Sequence, residues 1–199
     1  MKLLVTDRCT LEPQVEAHAA EMFLVLSDPA IYAFEKEPPP SLQWLQARFR
    51  RLEARQSLDG SQRWLNWVLR LPAGGLAGYV QATVLEPGIA CVAYELASVH
   101  WRQGLGSCAV SAVLAELASA EAVRLALAVL KAKNFRSLGL LAHLGFRPAS
   151  PEERAAMQPE ADEIVMAKDL APARQAGGLQ VGRAGDRPAH ACQASLEPP

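Results

Sequence analysis

The chain has 199 residues, half of them hydrophobic and 21% charged, a balance that fits a soluble globular protein and excludes wholesale disorder. Lys plus Arg number 20 and Asp plus Glu 21, for a formal charge of −1. The basic excess of a phosphate-neutralising nucleic-acid binder is missing, so nucleic acid is not an expected partner.

Neither a membrane-spanning nor a secreted protein is expected. The longest uncharged stretch, residues 71–85, spans fifteen residues and is broken by Pro72, Gly74, Gly75 and Gly78, short of the ~20 apolar residues of a membrane span. At the N-terminus, three apolar residues between charges (Leu3, Leu4, Val5) are too few for a signal-peptide core. Cys9, Cys91, Cys108 and Cys192 are scattered, with no CxxC pair and no His-rich cluster. Neither a metal site nor a disulfide framework is expected, and the expected setting is the cytoplasm with reduced thiols. At ~150 residues per domain, the length suggests one domain plus an extension.

Residues 3–5 and 9–11 are the first strand candidates. From Gln14 to Leu26, apolar residues recur at helical spacing, and Ser27-Asp28-Pro29 ends that helix. Ser41 is an N-cap for a second helix whose apolar face is Leu42, Leu45, Phe49 and Leu52. Arg48, Arg50, Arg51 and Arg55 read as its solvated face. Residues 63–71, 76–85 and 89–96 are three strands joined by Pro-Gly turns, an antiparallel meander. Leu105, Ala109, Val113 and Leu117 mark a third helix, and residues 123–130 form a nearly all-apolar strand of the kind buried on both faces. Asn134 opens a short helix that Gly145 closes, and residues 163–166 are the last strand candidate. Residues 1–170 make one domain, and the 29 residues 171–199, rich in Ala, Gly and Pro, read as a flexible tail. This order describes an α+β protein, a mixed sheet with helices on both faces.

Two segments carry chemistry. In the first, a strand ending at Tyr94-Glu95-Leu96 leads through a turn to Arg102-Gln103-Gly104-Leu105-Gly106-Ser107, where the third helix starts. The first amides of a helix lack intrahelical partners, the dipole adds positive charge there, and glycines admit an anion close to the backbone. Such a turn cradles phosphate without a basic excess. A P-loop is excluded because no Lys follows Gly106, and a dinucleotide fingerprint is disfavoured by the meander before it and by Ala109 at its third glycine position. A nucleotide-dependent phosphotransferase is therefore set aside. The second segment is Asn134-Phe135-Arg136-Ser137, followed by a helix ending Leu144-Gly145-Phe146.

In this order and separation, the two segments resemble the acyl-CoA loop and the second motif of the GNAT superfamily of acyl-CoA-dependent N-acetyltransferases. The opening Thr6-Asp7-Arg8-Cys9-Thr10-Leu11, with Leu26-Ser27-Asp28-Pro29, is similar to the branch of ribosomal-protein N-terminal acetyltransferases (RimJ/RimL type). The resemblance covers roughly residues 5–169. It implies the GNAT fold, with a mixed, mostly antiparallel central sheet.

It also implies an enzyme that uses acetyl-CoA as co-substrate, with no metal. The acceptor would be a primary amine of a protein or peptide N-terminus or of a small molecule. By this resemblance the diphosphate lies on the amides of Arg102, Gln103, Gly104, Leu105, Gly106 and Ser107. The pantetheine arm pairs with the backbone from Tyr94 to Leu96, and Asn134 bonds the arm or a water beside it. Arg102, Lys131, Lys133 and Arg136 are within reach of the 3′-phosphate, or are surface charges. Glu95 is the candidate base, against a solvated strand glutamate. Ser137 is the candidate proton relay, against an ordinary helix residue, and Tyr94 is a third proton-transfer candidate. Leu96 is the place where a backbone N–H is expected to meet the oxyanion.

Two positions depart from the family. The tyrosine often found four residues before the second motif's glycine is Leu141 here, and the polar residue often found three before the first loop glycine is Trp101. His100 reads as a surface histidine, His143 as a half-exposed residue of the short helix and Cys108 as a small core residue; Trp64 and Trp67 belong either to the core or to an acceptor pocket. A monomer or homodimer is expected. The rival reading is a GNAT-like module that binds acyl-CoA or a protein partner without catalysis.

Overall fold

The computed structural model describes residues 1–34, 37–86 and 88–170. The expected tail, 171–199, lies outside the described residues. Leu4–Val5 (β1) and Thr10–Pro13 (β2) form a hairpin across the Thr6–Cys9 turn. A 3-10 turn leads into Ala19–Val25 (α1), shorter at its start than the periodicity suggests. Leu42–Leu52 (α2) begins where expected, with the Ser41 hydroxyl accepting the Trp44 N–H at 3.1 Å. The meander is Arg63–Arg70 (β3), Leu76–Glu86 (β4) and Ile89–Leu96 (β5). Leu105–Ala120 (α3), Leu125–Lys131 (β6), Phe135–His143 (α4), Arg147–Pro148 (β7), Pro151–Met157 (α5) and Glu163–Asp169 (β8) complete the described chain.

The strands form one sheet in the order β1-β2-β3-β4-β5-β6-β8-β7. Only β5 and β6 run parallel. Strand alternation divides the side chains between two layers. Leu65, Trp67, Leu69, Val80 and Ala82 pack with Val110, Val113 and Leu117 of α3 and Leu141 of α4. On the other face, Val68 and Leu76 pack with Met22, Leu26, Leu45 and Phe49 from α1 and α2. The expected α+β architecture with helices on both faces is what the chain adopts.

The β5–β6 pairing is short. It consists of Ile89 with Leu125, Ala90 with Ala126 and Cys91 with Leu127. Beyond these rungs β5 continues to Leu96 and β6 to Lys131 without pairing each other. On its other edge β5 stays paired with β4 as far as Leu96 with Gly78. Gly78 makes that last pairing possible: a Cβ there would stand 2.0 Å from the Glu95 carbonyl oxygen.

Several expectations are corrected. Arg48 is not solvated but 5% exposed, because it lies three residues from Leu45 and so shares the inward face. Cys108 is half-buried rather than core, and its Sγ lies 3.3 Å from Asp7 Oδ1. Trp67 is fully buried on the α3 face, its indole donating to the Lys2 carbonyl at 3.1 Å, and Trp64 is buried as well, so both belong to the core. Neither β7 nor α5 was expected. The α5 helix turns only Met157 into the core, so it shows no apolar stripe, although Ser150 and Glu153 form a capping box at its start.

Candidate active site

A cleft of about 470 Å³ opens where β5 and β6 part. Its lower wall is the turn into α3. Arg102 and Gly104 hold φ of +59° and +78°, and Gly104 is the N-cap. Left-handed residues in such a turn aim neighbouring N–H groups toward one side, where an anion is held. Gly106 serves close packing instead, since a Cβ there would sit 2.9 Å from Leu140 of α4. The Trp101 side chain is engaged within the protein. Its indole N–H donates to the Leu96 carbonyl at 2.9 Å and ties the turn to the end of β5. Its ring carries the Arg136 guanidinium 3.6 Å from the centroid, with Phe34 on Arg136 as well.

The upper walls are Tyr94 and α4. The Asn134 side chain accepts the Ser137 N–H at 3.1 Å and caps α4. The Tyr94 hydroxyl donates to the Ser137 carbonyl at 3.4 Å. Burial pushes its phenol pKa up to about 12, so Tyr94 keeps its proton at neutral pH. Leu141 is fully buried in the core, which gives a packing role to the position where relatives often carry tyrosine.

Of the eleven residues singled out in the sequence, nine line this cleft: Tyr94, Glu95, Leu96, Arg102, Gly104, Gly106, Ser107, Asn134 and Ser137. Leu105 points into the core. The Gln103 side chain turns back to the Val99 carbonyl at 2.8 Å. Among the cations considered for the 3′-phosphate, Lys131 is engaged by Glu160 at 2.5 Å and Asp162 at 2.9 Å, and Arg136 lies on Trp101. His100 does reach the cleft, whereas His143 is exposed on α4.

One cation at the turn escaped sequence reasoning. Arg8, in the β1–β2 turn, donates to the Gln103 carbonyl at 3.1 Å, and its guanidinium carbon is 3.7 Å from where a Gly104 Cβ would stand. It is 95 residues away in the chain, and no local signal connects the two segments.

A second cavity, about 440 Å³, lies on the other face of β5, between the sheet and α2. Among the described residues, Glu95 is the one that lines both cavities. Alternation explains this: Tyr94 and Leu96 turn toward α3, and Glu95 between them turns toward α1 and α2 beside Tyr79, its partner on β4. Tyr32 and Arg48 also line the second cavity. Burial raises the Tyr32 phenol pKa, with the Glu95 charge adding to it, and burial pulls the Arg48 pKa down to about 10.

A helix-opening turn with left-handed residues, beside a parted pair of parallel strands, has room for a diphosphate and for an extended arm along β5. The acetyltransferase (GNAT) domain family matches residues 8–147. The chain belongs to that family, whose members transfer an acetyl group from acetyl-CoA to an amine. Solved structures share the fold. The ribosomal-protein-S5-alanine acetyltransferase of Vibrio fischeri superposes with a TM-score of 0.69 at 15% identity, over 85% of this chain and 97% of its own. RimL, a ribosomal L7/L12 α-N-protein acetyltransferase solved with coenzyme A, gives 0.65 at 16%, over 85% and 98%. The microcin C7 self-immunity acetyltransferase MccE, solved with acetyl-CoA and AMP, gives 0.68 at 14%, over 83% and 94%. At these identities the likeness is one of fold. No curated protein matches the chain in sequence. Among the described residues, no helix is long and apolar enough to cross a membrane, and no group of three or more His, Cys, Asp or Glu side chains is placed to hold a metal.

Proposed function

We propose that this acetyltransferase binds acetyl-CoA in the cleft between β5 and β6 and takes its amine from the cavity under α2, with Glu95 as the base between them. The observation that carries this reading is the position of Glu95, among the described residues the one common to the linings of these two cavities. Acetyl-CoA supplies a thioester carbonyl that a neutral amine attacks.

The chain's own residues have three tasks. Glu95 accepts the ammonium proton, directly or through a water. The free edge of β5 from Tyr94 to Leu96 offers backbone groups to the pantetheine arm, an addition of ligand to strand. The turn 102–107 meets the diphosphate, with Asn134 alongside the arm and Arg8 and Arg102 as flanking cations. For the leaving thiolate, Tyr94 and Ser137 line the cleft side by side, the Tyr94 hydroxyl bonded to the Ser137 carbonyl, and Tyr94 holds its proton at working pH. Much of the rate comes from holding the two reactants against one strand.

The acceptor is a primary amine, of a protein or peptide N-terminus or of a small molecule, and the expected place of work is the cytoplasm, where acetyl-CoA is supplied.

Two substitutions test the placement. Gly104→Glu sets a carboxylate in the anion turn and abolishes the thermal shift that coenzyme A gives the wild type. An unchanged shift refutes the cofactor placement. Glu95→Gln keeps that shift and lowers kcat by about 10²-fold or more in a thiol-release assay, with partial recovery at high pH as free amine accumulates. Wild-type turnover in Glu95→Gln removes it as the base.

A further inference from the structure

The cavity under α2 has an unusual floor. Of the seven polar or charged residues buried among the described residues, Gln14, Arg48, Asn66 and Gln81 lie together between the sheet and α2. Buried polar groups cost free energy unless they are hydrogen-bonded. Yet Gln14 Nε2 and Asn66 Nδ2 find no partner among the described residues, although Gln14 is only 4% exposed.

Strand register locates these groups relative to Glu95. Tyr79 faces Glu95 across β4 and β5. Two residues along β4, Gln81 faces Asn66 of β3, and the Gln14 N–H donates to the Asn66 carbonyl at 2.9 Å. Two residues of strand span roughly 7 Å. The cavity therefore has a carboxylate at its cofactor end and, roughly 7 Å along the strand, a row of amides. Arg48 comes down onto this row from α2, its guanidinium 5.5 Å from the Trp44 ring centroid. A guanidinium carries five N–H donors, enough to keep a contact inside the protein and still meet a ligand. Gln14, Arg48 and Gln81 line the cavity together with Glu95, and Glu37 stands exposed at its rim.

We propose that the acceptor is a small primary amine that also bears a carboxylate, its nitrogen placed at Glu95 and its carboxylate taken by Gln14, Arg48 and Gln81. This rests on the cavity under α2 being the acceptor side. A carboxylate forms charge-assisted bonds with a guanidinium about twice as strong as those of a neutral carbonyl, which favours an amino acid over the N-terminus of a peptide. The volume suits it, at the lower end of small-molecule sites. The Glu37 carboxylate, exposed in water at the rim, opposes an anion there only weakly.

The test is a thiol-release assay with matched probes: β-alanine against β-alaninamide, 5-aminopentanoate against pentylamine, and a C-terminally amidated peptide with a free N-terminus. Each carboxylate is expected to exceed its neutral counterpart in kcat/KM by about tenfold or more. Arg48→Met and Gln14→Leu should each shrink that ratio toward one, mainly by raising KM for the amine. The KM for acetyl-CoA and the coenzyme A thermal shift, which also report that each variant is folded, should be retained. Turnover of pentylamine or the amidated peptide at the carboxylate rate overturns the proposal while leaving the acetyltransferase reading intact, as does a ratio that persists in both variants. A coenzyme A shift with thiol release from none of these amines overturns both the proposal and the placement of the acceptor.

Discussion

Gly78→Ala strikes the site through the backbone alone. Gly78 lines neither cavity, yet an added Cβ meets the Glu95 carbonyl oxygen at 2.0 Å and Leu96 Cα at 2.8 Å. An ordinary contact is near 3.4 Å, so the end of β5 must move away from β4 by more than an ångström. Overpacking of this kind costs about 1–3 kcal/mol, and in a chain of this size that lowers Tm by roughly 2–10 °C. The larger effect should be on turnover. The displaced residues carry the candidate base and the strand edge offered to the pantetheine arm, and a misplacement of about 1 Å costs on the order of 10²-fold in rate. Steady-state kcat and KM for acetyl-CoA, measured beside thermal melting, read both consequences. If the variant melts lower but keeps wild-type kcat, β5 need not be held against β4 for chemistry, and the reasoning that couples the two fails.

Other outcomes follow from the same geometry. Arg8→Ala should raise KM for acetyl-CoA about three- to tenfold with kcat little changed, an effect that fades as salt is added because the side chain is exposed; equal KM at low salt removes Arg8 from the diphosphate site. Gly139→Ala should stabilise the protein by about 0.5–1 kcal/mol, read as a higher Tm, since the glycine sits in α4 with nothing within 4 Å of the new methyl. Alkaline unfolding should respond to Tyr94. Its folded pKa is raised to about 12 from 10, so its contribution is complete below pH 10 and is lost as pH climbs to about 12; in Tyr94→Phe that part of the pH profile should flatten. At the acid end, Arg147 holds the Glu153 carboxyl down at about 2. That contribution is present above pH 4.5 and lost as pH falls toward 2, and Arg147→Gln should remove this acid limb from melting curves.

The proposed cofactor side was legible because its signals are local. The glycines of the turn, the apolar spacing of α3 and the Asn134 cap all lie within single segments, and α3 and α4 begin where the pattern places them. The proposed acceptor side was not legible in this way. Its residues come from α2, β4, β5 and the start of the α1 region, and only the strand register brings Gln14, Gln81 and Glu95 to one cavity. Arg48 shows how the helical face was misjudged: four arginines within eight residues suggest a wet surface, but the inward turn between Leu45 and Phe49 takes Arg48 beneath the helix. In α5, Pro151, the glutamates and Arg154 mask the helical pattern, and the capping box was its remaining signal. Arg8 depends on tertiary contact alone.

The three-rung seam between β5 and β6 has a mechanical consequence. Among the described residues it is the only pairing that joins the β1–β5 half of the sheet to the β6–β8 half. A few hydrogen bonds at one end of a joint act as a hinge, and a chain-like molecule laid into the open end acts as a clip across it. Occupancy of the gap should thus stiffen both halves together, slowing amide exchange along residues 92–96 even where no bound atom touches them.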